Sequence, residues 1–332
     1  MITVRLDELV TDVGDVRHHP LVLIDLDGVR WPHSSASIRL LRRTPVVLVG
    51  IASAPLPDAA APLLGALDCT LAPAGPGRTW ARATTADVAA IRATVAGAPS
   101  AAVALVDLLR ITAAASVRDA LAAESFAYSM LLAGGEFATW RATRPRSPIP
   151  VTAEPVLVER ADDELVVRLN RPHRRNAFDR SIRDGLVDAL ALAEIDPSIR
   201  RVVLCGNGVS FSSGGDLDEF GTAEDVSRAH LIRMQQSAGY AVHRIADRVH
   251  AHLHGACIGA GIEVPAFAHR VVCRSDTWFQ LPELSMGLVP GAGGTVGIPR
   301  RIGRWRTAFL ALTGRPIDSA TALDWGLVDA GE

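Results

Sequence analysis

The 332-residue chain contains no lysine, so all 34 of its basic residues are arginine. Schiff-base catalysis on a lysine amine and a Walker-type phosphate lysine are both excluded. Cysteine is scarce, and the four present (Cys69, Cys205, Cys257, Cys273) have no CxxC spacing. They read as buried free thiols of a reducing cytosol. No apolar run approaches the ~20 residues needed to span a bilayer. The N-terminus, MITVRLDELVTDVGD, is acidic and has no apolar leader core. A soluble cytoplasmic protein with no membrane partner is the expectation. Excess charge is absent too: the formal net charge is -2, which argues against a nucleic-acid surface or an acidic tail. That balance leaves room for an anionic ligand, because a phosphate needs only a local cluster. Low-complexity tracts and short tandem repeats are lacking.

What the chain does have is apolar mass, 48% of its residues, enough for a sizeable core. Residues Ala142 to Pro155 (ATRPRSPIPVTAEP) carry four prolines and no periodicity. They read as a linker between an N-terminal part, 1–145, and a C-terminal part, 151–332. Strand-like and helix-like segments alternate in both, which predicts an α/β fold. Leu21–Asp25 and Val46–Ile51 read as strands, and Ala102–Arg110 and Ser116–Ala133 as helices. In the second part, Val156–Glu159, Glu164–Leu169, Val202–Cys205 and Val249–His254 read as strands. Asp179 is placed to cap a helix over Ser181–Ala193.

Two glycine-rich segments each follow an apolar strand: Phe211-Ser-Ser-Gly-Gly-Asp-Leu217 and His254-Gly-Ala-Cys-Ile-Gly-Ala-Gly-Ile-Glu263. Glycine lets the chain turn sharply there and lets a ligand approach the backbone. A helix starting at such a turn has unpaired N–H groups, with the positive end of its dipole behind them. Two such groups from different loops suit a developing oxyanion. A helix beginning near Gly259 leaves the Ala260 N–H free and puts Glu263 on the same face. Tight packing turns, with Glu263 as a first-turn acid complementing the dipole, fit the same residues. Glu283 follows a proline inside the apolar stretch Phe279–Thr295, a setting that raises a carboxyl pKa if it is buried.

Six pieces in order carry a resemblance. They are Asn170-Arg-Pro-His-Arg-Arg-Asn-Ala177, Phe211–Leu217, Gly255–Glu263, Leu281-Pro-Glu283, Gly291-Ala-Gly-Gly-Thr295 and Gly326-Leu-Val328. From Val156 to Ala330 the chain resembles the crotonase (enoyl-CoA hydratase/isomerase) superfamily. The resemblance implies a core of repeated ββα units and an acyl-coenzyme A thioester substrate, as in fatty acid metabolism. It puts the thioester oxygen between the N–H groups of Gly215 and Ala260. Glu263 and Glu283 match the two acids of hydratases, with Glu283 handling the α-carbon proton and Glu263 activating water. Arg174, Arg175 and Ala177, with the turn holding Ser213, Asp216 and Leu217, would hold the coenzyme A portion. No metal and no cofactor beyond that portion is implied, and a homo-oligomer (trimer or hexamer) is. Isomerase, decarboxylase or C–C hydrolase chemistry on the same scaffold, or a catalytically idle acyl-CoA-binding subunit, are the alternatives.

This chain departs from the family pattern at three points. Ala260 stands where glycine is usual, and Pro265 falls two residues after Glu263, where the family helix continues. The chain also ends shortly after Gly326-Leu-Val328, before the helices that usually follow. Ala123–Arg144 is similar to those missing helices, and Thr44–Ala52 resembles Arg201–Gly206. Residues 1–145 therefore read as a degenerate crotonase-like unit whose last helices pack on the active core. Two other motifs are weaker. Leu23-Ile-Asp-Leu-Asp-Gly-Val29 is similar to the first motif of haloacid-dehalogenase-type phosphatases but lacks that family's partners, so a turn is expected. His250, His252 and His254 share one strand face without a fourth zinc ligand.

Overall fold

The computed structural model describes residues 2–6 and 19–331, and the acidic N-terminal stretch lies largely outside them. The N-terminal part holds a parallel sheet of β1 (Ile2–Arg5), β2 (Leu21–Asp25), β3 (Val47–Ile51) and β4 (Cys69–Leu71), in that spatial order. Its central strands are continuously apolar because successive side chains feed opposite faces. Leu21, Leu23, Val47 and Val49 join a core that runs on into the C-terminal part. Val22, Ile24 and Leu48 join a second core beneath α1 (Ser35–Arg42) and α2 (Ala61–Leu64).

Four helices follow: α3 (Thr85–Gly97), α4 (Pro99–Thr112), α5 (Val117–Leu132) and α6 (Gly135–Ala142). Local chemistry sets their starts. Thr84 and Asp87 form a capping box at α3, Pro99 opens α4, and the Ser116 hydroxyl accepts the Asp119 N–H at α5. Residues 143–155 form no regular element, in line with their prolines.

The C-terminal part opens with an antiparallel hairpin, β5 (Val156–Ala161) and β6 (Glu164–Leu169). It continues in parallel through β7 (Arg201–Gly206), β8 (Val249–Leu253), β10 (Arg270–Cys273) and β13 (Ala330–Gly331). A smaller sheet is ordered β12 (Ile317–Asp318), β11 (Trp278–Gln280), β9 (Ala256–Ile258). Helix α7 (Arg180–Ile195) starts at Asp179, whose carboxylate accepts the Ile182 N–H at 3.0 Å. The remaining helices are α8 (Val226–Gln235), α9 (Ala238–Arg244), α10 (Ala260–Glu263), α11 (Gly297–Ile302), α12 (Arg304–Thr313) and α13 (Ser319–Trp325).

The two parts pack closely. Helix α5 lies against α8, α6 lies against the short turn Glu283–Met286, and α12 rests on α3 and α4. Two local expectations fail. No helix follows the first glycine turn: the chain stays irregular from Ser213 until α8 begins at Val226. The Asp216 carboxylate is drawn in to Arg171 and Arg174, which folds that segment back on itself. The second helix, α10, is a single turn, because Pro265 has no N–H to continue it and the chain passes into a 3-10 turn, Pro265–Phe267. No single helix among the described residues is long and apolar enough to cross a membrane.

Candidate active site

Glu263 ends α10 and Glu283 opens the turn Glu283–Met286, and both side chains are buried, at 2% and 7% exposure. They meet at Gly259. A methyl group built on Gly259 would lie 2.5 Å from Glu283 Oε1 and 3.5 Å from Glu263 Oε1, so both carboxyls face one small space. Gly259 has φ +48° and ψ -120°, the conformation of the first central residue of a type II′ turn and open only to glycine. Gly259→Ala is therefore expected to displace the Glu283 carboxyl. A misplacement near 1 Å costs on the order of 100-fold in rate. Steady-state kinetics checks this, and full activity in a folded Gly259→Ala variant would contradict it.

The two acids are held differently. Glu263 Oε2 accepts the backbone N–H groups of Ala292 and Gly294, at 2.8 and 2.9 Å. Gly294 has to lack a side chain here, since its methyl would fall 2.8 Å from Glu263 Oε2. Glu283 Oε2, in contrast, is buried with no hydrogen-bond partner. Burial pushes the Glu263 pKa up to about 7 against the pull of its two amides. Burial, and then the charge of Glu263, raises Glu283 well above the ordinary glutamate range. One acid is thus poised near neutrality and the other is kept protonated, an arrangement suited to moving a proton in each direction.

The two glycine turns touch. Ile258 N–H donates to Ser212 O at 3.1 Å, and a methyl on Gly214 would lie 2.9 Å from Ile258 O. Between those contacts sit Gly215 and Ala260. Neither N–H donates to an acceptor among the described residues, and the Ala260 N–H is the first of α10. Phe220 covers the Gly215 side, where a methyl would meet its ring at 2.5 Å.

The residues assigned to coenzyme A form one network beside this pair. Arg174 bonds Asp216 and Asp218, at 2.8 Å each, and fully buried Arg171 bonds Asp179, Asp216 and the Ala177 carbonyl. Asp216 and Ala177 are themselves buried, so they meet a ligand only through their backbone. Arg175 adopts φ +51° and receives the Ser213 N–H on its carbonyl at 3.0 Å. Leu217 is partly exposed at 38%. Half of Arg174's fork is therefore taken up by carboxylates, which sequence reading gave no means of seeing.

Sequence reading also overlooked two residues of α5. Glu124 is 2% exposed and bonds the glycine loop that holds Glu263, and Tyr128 lies one helical turn further on. The Tyr128 ring packs on Gly291, where a methyl would approach it to 2.5 Å. An acid on the apolar face of α5, four residues from Tyr128, was the available signal.

Elsewhere, Asp25 and Asp27 close an ordinary turn: Asp25 accepts the Asp27 N–H and Asp27 accepts the Ser53 N–H, both at 2.9 Å. No cluster of three or more His, Cys, Asp or Glu fit for a metal occurs among the described residues.

Comparison with known proteins agrees with this geometry. The enoyl-CoA hydratase/isomerase family model matches residues 161–330. The chain is 32% identical over 173 residues to a 2,3-dehydroadipyl-CoA hydratase of Escherichia coli (strain K12), covering 52% of this chain and 67% of that protein. It is also 32% identical over 157 residues to a protein of Bacillus subtilis (strain 168) described as a probable enoyl-CoA hydratase, covering 47% of this chain and 61% of that relative's length. Among solved structures, an enoyl-CoA hydratase from Thermoplasma volcanium GSS1 superimposes with a TM-score of 0.51 at 31% identity, over 54% of this chain and 72% of the other. The α/β architecture is thus that of crotonase-fold proteins. With more than half of its residues inside the family match, the chain belongs to the enoyl-CoA hydratase/isomerase family.

Proposed function

We propose that this protein hydrates a trans-2-enoyl-CoA. The observation that carries the reading is the pair of buried carboxyls, Glu263 and Glu283, facing the same space at Gly259 beside two undonated amides. The thioester oxygen is received by the N–H groups of Gly215 and Ala260, which stabilise the enolate as negative charge moves onto it. One such donor is worth roughly 100- to 1000-fold in rate. Glu263, near neutrality and fixed by two amides, takes a proton from water as the oxygen attacks the β-carbon. Protonated Glu283 delivers its proton to the α-carbon. The two protons balance across the pair, so no cofactor is consumed beyond the coenzyme A portion of the substrate.

Arg175, the free side of Arg174 and the backbone of Ala177 and Ser213–Leu217 hold that coenzyme A portion, with arginine suited to phosphate by charge and fork geometry. Isomerases of the family generally keep only the acid matched by Glu283, so the presence of both acids favours hydration. The hydratase descriptions of the Escherichia coli and Bacillus subtilis relatives support the same choice. A cytoplasmic homo-oligomer, trimer or hexamer, belongs to this reading. Incubation of the full chain with crotonyl-CoA is expected to consume the enoyl absorbance. Tight thioester binding without turnover on several enoyl chain lengths would overturn the hydratase reading in favour of a binding subunit.

A further inference from the structure

Four successive amides of the glycine loop serve two carboxylates in alternation. The N–H groups of Ala292 and Gly294 go to Glu263 Oε2. Those of Gly293 and Thr295 go to Glu124, at 2.7 and 2.9 Å, and the Thr295 hydroxyl adds a third bond to Glu124 at 2.7 Å. Gly293 has φ +107°, which L side chains rarely adopt and which lets the chain turn between the two acids. The N-terminal part grips this loop a second time, through Thr112 Oγ1 donating to Thr295 O at 2.9 Å.

We propose that Glu124, on α5 of the N-terminal part, is a positioning residue for Glu263. It fixes the Gly293 and Thr295 amides so that the two amides between and before them seat the Glu263 carboxylate. The N-terminal part thereby belongs to the acid–base site as well as covering it. This deepens the hydratase reading and rests on it for its kinetic consequence, but the geometry of the loop stands independently.

The charges in this region are linked. Burial, then the charge of Glu263, pushes Glu124 up to about 8, while the three donors from Gly293 and Thr295 pull it down. Glu124 in turn contributes to raising Glu283. The groups that face it are Glu263 of α10, Glu283 of the following turn, Tyr128 of its own helix and Arg233 of α8. Loss of a charge at Glu124 removes a like-charge interaction, so the remaining acids should titrate lower.

The test is a carbon-13 titration of glutamate carboxyls in the full chain, wild type against Glu124→Gln, with Glu263→Gln and Glu283→Gln assigning the signals. Glutamine presents an NH2 where Glu124 meets N–H donors, so one loop bond is lost along with the charge. The expected result is a downward move of roughly one pH unit in the titration of the Glu263/Glu283 pair. In parallel, kcat on crotonyl-CoA should fall about 10- to 100-fold, its pH profile should move the same way, and KM should hold. Thr295→Val keeps Glu124 and removes one donor, so it should act in the same direction and decides the matter if Glu124→Gln does not fold. Unmoved carboxyl titrations and an unmoved pH profile, even with a lowered Tm, would overturn the positioning role. If wild type hydrates no enoyl-CoA, the hydratase reading falls, while the carboxyl titration still decides Glu124.

Discussion

Glu283→Gln and Glu263→Gln are each expected to lower kcat by about 100- to 10,000-fold, the range of a lost acid or base, with thioester binding intact. The geometry makes these clean substitutions. Glu263 uses only Oε2 to receive the Ala292 and Gly294 amides, and a glutamine oxygen keeps both bonds. Glu283 Oε2 has no partner to lose. Single-turnover kinetics and equilibrium binding of a non-reactive acyl-CoA separate chemistry from affinity. Full turnover in either folded variant would contradict its role as acid or base.

The Glu283 variant should also gain stability as pH rises. Burial and the charge of Glu263 raise the folded-state pKa of Glu283 well above its ordinary value of 4.5. Between those two values the folded chain binds more protons than the unfolded one, so wild-type stability falls with increasing pH. That contribution is whole below the unfolded value and is lost as pH climbs toward and through the folded one. Glutamine titrates in neither state. The Tm of Glu283→Gln should therefore draw ahead of wild type between about pH 5 and about pH 8, by about 2–4 °C for each kcal/mol relieved. A difference in Tm that stays flat with pH would contradict burial as the cause.

The second large effect is expected from residues 151–332 expressed alone: an aggregating product without turnover. Removing the N-terminal part uncovers the loop that meets Leu121 and Glu124, and the turn at Gly287 that packs on Glu136 and Phe137. It also strips α12 of α3 and α4. Each buried side chain of Leu or Phe size contributes about 1.5–3 kcal/mol, against a total stability near 5–15 kcal/mol, to order of magnitude about the same size. Leu105, Leu109, Leu121 and Phe137 are all buried in the core shared by the two parts. Losing all of them is comparable to the whole margin. Size-exclusion chromatography, circular dichroism and the hydration assay check the outcome, and a soluble, fully active fragment would show that the N-terminal part is dispensable.

Much of the local structure was legible because it depends on neighbours in the chain. Asp179 caps α7 and Ser116 caps α5, as the residue types predict, and the alternation in Glu164–Leu169 gives a strand with one buried face. The Ala142–Pro155 prolines predict a break, and the structure has one. The helix expected after Gly214-Gly215 does not form, because Asp216 is claimed by Arg171 and Arg174, 45 and 42 residues away. Periodicity has no access to such a pairing. Pro265 shortens α10 as its chemistry predicts, yet Glu263 stays in place because a distant downstream loop, Ala292–Gly294, binds it.

By itself the sequence determined the ordering of elements, the glycine positions where backbone must come close, and the identity of the two acids that distinguish the family. Those properties reside in single residues and short spacings. Tertiary structure alone decided that both acids face Gly259, that Glu283 is buried with an unpartnered oxygen, and that Glu124 reaches across from the other half of the chain to share one loop with Glu263. The physical reason is that desolvation and hydrogen-bond geometry are set by what surrounds a group in space, and a carboxyl's neighbours in the folded chain are not its neighbours in the sequence.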